Sequence, residues 1–230
     1  MKSRLVIILC MVLAAGPVLA GEKQELKTKK DKVSYAIGLD MAQNLKRNEI
    51  EIDPDVLARA IKEVMSGSKP EMTEQEIKET LMLLQKDVQA KQQEKSKALG
   101  EKNKKDGDEY LAKNKKKDGV KTLPSGLQYK VITEGKGKTP KASDTVTVNY
   151  AGTLIDGSEF DSSYKRGQPA TFPVGGVIKG WTEALQLMKE GSKWQLVIPA
   201  GLAYGEQGRP GIPPNSVLIF DVELLSIKAQ

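Results

Sequence analysis

The chain has 230 residues, of which 39% are hydrophobic and only 5% aromatic, and its formal net charge is +6. It contains no histidine and a single cysteine, Cys10, so it lacks the commonest zinc ligands and the usual Ser/His and Cys/His nucleophile systems. Most hydrolase functions are therefore excluded, and we expect neither a metal site nor a cofactor.

The first 20 residues have the features of a secretory signal peptide. Lys2 and Arg4 precede an apolar stretch over residues 5–15, and a small-residue cleavage pattern ends at Ala20. The stretch is shorter than the ~20 residues that a membrane-spanning helix needs, so an uncleaved anchor is the weaker interpretation. Cys10 lies too early for a lipoprotein acceptor. We expect a mature chain without a thiol or a membrane span, exported to the periplasm, with outer-membrane association or secretion as alternatives.

Three amphipathic helices are predicted after the leader. Asp53-Pro54 opens the second helix with an N-cap and a first-turn proline, and Gly67 ends it. Thr73 and Glu76 form a capping-box pattern that opens the third. The apolar stripe of the first helix is Val33, Ile37, Met41 and Leu45. The apolar face of the third helix is Ile77, Leu81, Leu84 and Val88.

The helical segment over residues 21–88 is predicted to be a dimerisation domain. It offers too little chain to bury a robust core alone, and pairing with a second copy would solve that. Structural core is the favoured role for the methionines of this region. The alternative is a substrate-binding cleft, because methionine adapts to irregular surfaces. These methionines are Met41, Met65, Met72 and Met82.

Residues 89–121 are predicted to form a charged helical linker. Apolar positions become sparse after Val88 while Lys, Glu and Gln continue, so we expect this part to lie largely in water. Gly100 and Gly107 each cost a helix about 1 kcal/mol relative to alanine, and we expect fraying or bending there. The lysines of residues 113–117 indicate a solvated face. Because the positive charge concentrates in this one stretch, we expect no nucleic-acid partner.

Residues 122–230 are predicted to form an antiparallel sheet with one short helix packed across its concave side. The helix opens after Gly180 and carries Trp181, Leu185 and Met188 on one face, and Asp156-Gly157 has the form of a hairpin turn. Four segments alternate between apolar and polar residues, namely 127–131, 146–150, 194–198 and 218–224. The fold class is therefore α+β, a β-sheet wrapped on one helix after an all-α module with a long linker helix.

The scarce aromatic side chains concentrate in this C-terminal domain. They are Tyr150, Phe160, Phe172, Trp181, Tyr204 and Phe220. Because Tyr150 and Phe220 fall on buried strand faces and Trp181 begins the helix, these side chains can converge on one concavity. A mostly apolar cleft with a few polar groups is the usual form of a small-ligand or short-peptide site. Periodicity alone leaves an ordinary hydrophobic core as an equal alternative.

The segment from about residue 125 to 228 resembles the FKBP-type peptidyl-prolyl cis-trans isomerases. The resemblance rests on F-D-S-S, V-I-K-G-W, A-Y-G and the ending I-F-D-V-E-L, in the order and spacing of the family. It implies an enzyme that accelerates X-Pro isomerisation during protein folding, with unfolded or proline-containing polypeptides as substrates and macrolides as candidate inhibitors.

The resemblance also implies roles for individual residues. Trp181 corresponds to the pocket floor, while the Ile178 amide and the Tyr204 hydroxyl correspond to donors to ligand carbonyls. Asp161 corresponds to an orienting group linked to a tyrosine and an arginine, and a purely structural ion pair is the alternative role. The remaining substrate-binding positions are Tyr150, Phe160, Arg166, Val177, Ile212 and Phe220.

Two rim positions depart from the best-known eukaryotic members. Ala170 stands in place of a phenylalanine and Arg209 in place of a histidine, which affects sequence preference more than activity. The leader, helices and lysine-rich arm resemble the bacterial Mip/FkpA-like subgroup, and this implies a homodimer formed through the N-terminal helices. The alternative function is a non-catalytic periplasmic chaperone or peptide-binding protein. The combined presence of the pocket residues favours the enzyme, with chaperone activity as an additional expectation.

Overall fold

The computed structural model describes residues 25–229, so the predicted signal peptide and Cys10 lie outside the described residues. Within this range the chain forms four α-helices and seven β-strands. It divides into two compact units, of which the first ends at Thr73 and the second begins at Glu74. The predicted domain boundaries at residues 88 and 121 stay predictions. Across residues 25–229, no helix has the length and apolar character needed to cross a membrane.

The first unit contains α1 (Lys29–Arg47) and α2 (Pro54–Ser66). Thr28 begins α1 with a capping box, because its hydroxyl accepts from the Asp31 N–H at 3.0 Å and its own N–H donates to the Asp31 carboxylate. Asp53 caps α2 as predicted, and Gly67 ends that helix in the left-handed conformation with φ 73°. Neither helix, both of which lie wholly within the described range, has a buried residue.

The long helix α3 spans Glu74–Asn114 without interruption. At ~1.5 Å per residue its 41 residues extend for roughly 60 Å. The expectation of fraying at the two glycines is wrong, because Gly100 and Gly107 are buried inside the continuous helix. The lysines of residues 113–117 are exposed, as predicted.

The C-terminal half of α3 packs on the sheet domain, so it does not stand free in water over its whole length. A Cβ on Gly100 would lie 3.2 Å from the Pro214 side chain, which shows how close the helix runs to the loop at 213–217. Asn103 donates to the Pro214 carbonyl at 2.8 Å, and buried Asn114 donates to the Gln128 side chain at 2.9 Å. A side chain at Gly100 would therefore require the loop to shift by a few tenths of an ångström.

The predicted α+β architecture is confirmed. A single antiparallel sheet has the strand order β1-β2-β6-β7-β3-β4, and β5 pairs with the free part of the β3 edge. The strands are β1 (Val120–Thr122), β2 (Gln128–Thr133), β3 (Thr145–Leu154), β4 (Glu159–Ser162), β5 (Ala170–Pro173), β6 (Lys193–Ile198) and β7 (Leu218–Lys228). The hairpin between β3 and β4 turns at Asp156-Gly157 as predicted, with Gly157 at φ 87°.

One short helix, α4 (Lys179–Leu185), packs against the sheet and completes the core. It begins at Lys179, whereas the sequence predicted a start after Gly180. Gly180, in the first turn, lies so close to β6 that a Cβ there would stand 2.5 Å from Ile198 Cγ2. Trp181, Ala184 and Leu185 are buried, and they bring the helix onto the apolar residues of β6 and β7.

Candidate active site

An open pocket of about 430 Å³ lies between the start of α4, strands β3 to β5, the start of β7 and the loop after β6. Its lining is mostly aromatic and aliphatic, with a few polar groups at the margin. The lining residues are Tyr150, Phe160, Asp161, Phe172, Gly176, Val177, Ile178, Trp181, Tyr204, Arg209 and Phe220.

Trp181 forms the apolar centre of this pocket and is 3% exposed. Its ring meets Tyr150 and Phe220 edge to face, each with ring centroids 5.2 Å apart. Phe172 approaches it in the same way at 6.0 Å. Edge-to-face pairs stabilise an aromatic cluster by about 0.5–1.5 kcal/mol each beyond the burial of area. The rings therefore hold one another in place and leave an apolar surface for a ligand.

Asp161, Tyr150 and Arg166 form a closed triangle at one side of the pocket. The Tyr150 hydroxyl donates to Asp161 Oδ2 at 2.6 Å, and Arg166 Nη2 donates to the Tyr150 oxygen at 2.8 Å. Arg166 also makes an ion pair with Asp161 Oδ1. Each of the three polar groups is thus held by the other two.

The triangle fixes the charge of Asp161. Burial by itself raises the pKa of the carboxyl, but the hydrogen bonds from Tyr150 and Arg166 and the arginine charge outweigh this and lower the pKa below its ordinary value. Burial, followed by the hydrogen bond to Asp161, raises the pKa of Tyr150. Near neutral pH the pair is therefore a carboxylate and a protonated phenol, which suits an orienting group and not a proton acceptor.

Two hydrogen-bond donors remain available in the pocket. The Tyr204 oxygen accepts from Arg209 Nη1 at 3.0 Å, which leaves the hydroxyl hydrogen free to donate. Ile178 is the N-cap residue of α4, and its carbonyl accepts from the Trp181 and Thr182 amides. Its own N–H has no acceptor within residues 25–229. Both donors belong to residues that line the pocket.

Eight of the ten predicted site residues line the pocket, and two do not. Arg166 lies behind the lining as the partner of Asp161 and Tyr150. Ile212 is 3% exposed and packs in the hydrophobic core. The catalytic and binding roles of all ten residues stay predictions.

Sequence reasoning left Phe172, Gly176 and Arg209 out of the site, although all three line it. Phe172 was recognisable as one of the clustered aromatic residues, but β5 was not predicted as a strand. Its pairing with β3, in which Phe172 lies opposite Val146, brings the ring to the pocket. Arg209 was visible only as a departure from the family pattern. Among residues 25–229, no three or more acidic, histidine or cysteine side chains form a cluster suited to a metal ion.

Comparison with known proteins connects this geometry to a family. Residues 136–225 match the family described as FKBP-type peptidyl-prolyl cis-trans isomerase. Residues 30–131 match the family described as the domain amino terminal to FKBP-type peptidyl-prolyl isomerase.

Similar proteins extend over most of the chain. Outer membrane protein MIP of Legionella longbeachae is 50% identical over 230 residues, which are 99% of this chain and 99% of that protein. FKBP-type peptidyl-prolyl cis-trans isomerase FkpA of Escherichia coli (strain K12) is 46% identical over 94% of this chain and 82% of its own length. The crystal structure of FkpA from Escherichia coli, 46% identical in sequence, superposes with a TM-score of 0.70, covering 89% of this chain and 99% of that chain.

Proposed function

The chain belongs to the family of FKBP-type peptidyl-prolyl cis-trans isomerases, and from that premise we propose that its aromatic pocket is the catalytic site. The predictions of this family and of peptidyl-prolyl isomerase activity are confirmed by the comparisons. The assignment of the pocket rests on one observation, an apolar floor of interlocked rings with two free hydrogen-bond donors beside it.

The reaction suits a pocket of this kind. Rotation about a peptide bond meets a barrier of about 18–20 kcal/mol that arises from amide resonance. The planar amide separates more charge than the twisted transition state, so transfer from water to an apolar surface disfavours the planar form more. The Trp181 floor supplies that surface. Rotation about the peptide C–N bond needs no nucleophile and no proton transfer.

The polar groups at the margin then position the substrate. The Ile178 N–H and the Tyr204 hydroxyl hold carbonyls on either side of the rotating bond, so that only one part of the peptide turns. Asp161 acts through its neighbours, because its oxygens are occupied by Tyr150 and Arg166. It keeps the phenol of Tyr150 oriented and balances the charge of Arg166.

The assignment is tested by measuring cis-to-trans relaxation of a short X-Pro peptide with Trp181→Ala and Trp181→Phe variants. Trp181→Phe is the informative change, since it keeps an aromatic floor and is less disruptive to folding than removal of the whole ring. We expect kcat/KM to fall by about 5- to 30-fold, the equivalent of 1–2 kcal/mol of transition-state binding. A macrolide directed at this family is expected to inhibit the wild type. An unaltered rate in a folded Trp181→Phe variant contradicts the assignment.

We propose that the N-terminal unit forms a homodimer. Its helices bury no residue within the described range, and it exposes large apolar side chains such as Val64 at 70% and Met65 at 82%. A groove of about 670 Å³ between α1 and α2 has an apolar lining that includes Met41, Leu45 and Leu57. A patch of this kind marks an interface in a stable protein. Sedimentation of the wild type and of a Met65→Lys variant tests this, because a buried lysine at the contact is expected to produce monomers.

The same apolar surface supports a chaperone role beside the isomerase. Within a dimer, side chains that remain uncovered can hold unfolded polypeptides while the pocket acts on their prolines. Suppression of aggregation of a reduced, unfolded client by the full chain, and its loss in the isolated isomerase unit, is the expected result. Equal suppression by both would assign the client site to the C-terminal unit.

We propose export to the periplasm, on the basis of the leader pattern over residues 1–20. A similar protein is named an outer membrane protein, which makes association with that membrane the alternative location. Cell fractionation, together with the N-terminal sequence of the purified protein, distinguishes them. A mature chain that begins at Gly21 in the soluble periplasmic fraction is the expected result.

A further inference from the structure

The loop that follows β6 holds Arg209 in a fixed place at the pocket. The Arg209 N–H donates to the Ile212 carbonyl at 2.9 Å, and the Ile212 N–H donates back at 2.8 Å. Pro210 and Gly211, the latter at φ 84°, occupy the two central positions, an arrangement typical of a type II turn. Ile212 is 3% exposed and anchors this turn in the core. The backbone of Arg209 is therefore held from both sides.

The side chain of Arg209 is held against Tyr204. Nη1 donates to the Tyr204 hydroxyl at 3.0 Å, and the guanidinium carbon lies 5.0 Å from the centre of the tyrosine ring. Cation–π contact of this kind adds to the hydrogen bond in restraining the side chain. The guanidinium is consequently presented to the pocket in a defined orientation.

Arg209 has no carboxylate partner in residues 25–229. None of the ion pairs in that range includes it, whereas Arg166 is fully engaged by Asp161 and Tyr150. A guanidinium carries five N–H donors, and Tyr204 uses one of them. The remaining donors form a fork that matches a carboxylate in two parallel hydrogen bonds. The pocket thus has, within the described part of the chain, an unpaired cation on its rim.

We infer that Arg209 gives the isomerase a preference for substrates with an acidic side chain next to the proline. This rests on the proposed assignment of the pocket as the catalytic site. The Tyr204 oxygen accepts from Arg209, which leaves its hydrogen available to donate to a substrate carbonyl. The substrate residue that supplies this carbonyl therefore lies within side-chain reach of the guanidinium. An exposed ion pair corresponds to a factor of about 1.5 to 5 in binding, and salt reduces it.

The test uses the full chain and two series of proline peptides, with Glu, Leu or Lys either just before or just after the proline. At low salt the wild type is expected to favour Glu over Lys at one of these positions by about 2- to 10-fold in kcat/KM, with the ratio shrinking towards one at 1 M salt. Arg209→Met is expected to abolish the Glu-to-Lys ratio, and Arg209→Glu is expected to reverse it.

Lys179→Gln serves as the matched control. Lys179 is exposed and adjoins the pocket residue Ile178 in sequence, but it is not part of the lining. Loss of its charge is expected to leave the Glu-to-Lys ratio unchanged. A ratio that Arg209→Met does not alter, or that Lys179→Gln alters equally, overturns the inference. When the ratio test fails in this way, Trp181→Phe shows which assignment is wrong. A wild-type rate on the Leu peptide means that the pocket is not the catalytic site, and a lowered rate means that only the role of Arg209 fails.

Discussion

Gly107 of α3 lies directly against Val217, so close that a Cβ on the glycine would stand 2.7 Å from Val217 Cγ2. Val217 is 4% exposed and immediately precedes β7. In the same region the Asn215 side chain donates to the Gly100 carbonyl at 3.2 Å, and the Asn215 backbone N–H donates to the Gly205 carbonyl at 2.8 Å. The long helix is thereby joined to the loop that carries Tyr204.

Replacement of Gly107 by alanine is predicted to destabilise the second unit, although the same change favours most helices. Alanine gains about 0.5–1 kcal/mol over glycine within a helix. Overpacking of a buried site costs about 1–3 kcal/mol, and Val217 is a stiff, buried side chain. We therefore expect a net loss of up to about 2 kcal/mol, measured by thermal or urea unfolding.

Gly38→Ala provides the matched control, because Gly38 is also inside a helix. Among residues 25–229, and apart from its chain neighbours and the backbone of its own helix, no atom lies within 4 Å of the position that its Cβ would take. We expect that change to be neutral or stabilising for the first unit. Gly100→Ala is expected to be intermediate, with its nearest neighbours at 3.2 and 3.3 Å. Equal effects at positions 38 and 107 would show that α3 does not pack on the loop.

Tyr204→Phe is predicted to lower kcat/KM on short X-Pro peptides by about 2- to 12-fold, the value of one hydrogen bond of 0.5–1.5 kcal/mol. Stability is expected to change little, because the hydroxyl bonds only to the exposed Arg209 within the described range. The relaxation assay and an unfolding curve measure the two effects.

Tyr164→Phe is the control for that change. Tyr164 is half-exposed, and its hydroxyl makes a long contact of 3.5 Å with Glu223, away from the pocket lining. It is expected to keep the wild-type rate. Similar losses in both variants would remove the role proposed for the Tyr204 hydroxyl.

The rate of isomerisation is predicted to be flat from about pH 5 to pH 9. The pKa of Asp161 lies below its ordinary value and the pKa of Tyr150 above its own, so neither group titrates in that range. Because the native pKa of Asp161 is depressed, its ionised form contributes stability above the unfolded value of ~3.9, and this contribution is lost as the pH falls through the native pKa.

The measurement is a pH profile of kcat/KM with an unfolding curve at each pH. Asp161→Asn is expected to remove the acid-dependent loss of stability that belongs to this carboxyl. A rate that rises or falls with a midpoint near pH 7 would indicate a general acid or base and would contradict the orienting role of Asp161.

The sheet domain, formed by β1 to β7 and α4, is predicted to need the second half of α3 for its stability. A fragment that begins near residue 97 keeps the contacts of Gly100, Asn103 and Asn114 with the sheet domain, and we expect it to be monomeric and active on short peptides. A fragment that begins at residue 115 loses these contacts and leaves Gln128 without its two partners, Asn114 and the Leu111 carbonyl.

Loss of buried hydrogen bonds costs about 1–3 kcal/mol per unsatisfied group. The shorter fragment is therefore expected to unfold at a lower denaturant concentration than the longer one, with a similar rate while folded. Equal midpoints would show that the α3 contacts do not contribute to stability, and a dimeric fragment of either length would contradict dimerisation through the N-terminal unit.

The sequence predicted those pocket residues that strand alternation or a family motif marks. Alternation placed Tyr150 and Phe220 on the buried faces of their strands, and the family motifs marked Asp161, Ile178, Trp181 and Tyr204. Phe172 and Arg209 were missed for different reasons. Strand β5 has only four residues, too few for a period to be recognised, and the position of Arg209 depends on a turn anchored by Ile212.

The sequence by itself determined the N-terminal helices and the longer strands, because caps, turns and apolar periods act between residues close along the chain. Asp53 and Gly157 show this, because they form the cap and the turn that the sequence predicts. Only the tertiary structure showed that α3 continues through its two glycines and packs on the sheet domain there. Read locally, Gly100 and Gly107 weaken a helix, but the contacts that explain them come from residues 214–217, more than a hundred positions away in the chain. Such packing depends on contacts between segments that are distant in the chain, and these contacts cannot be predicted from a local sequence pattern.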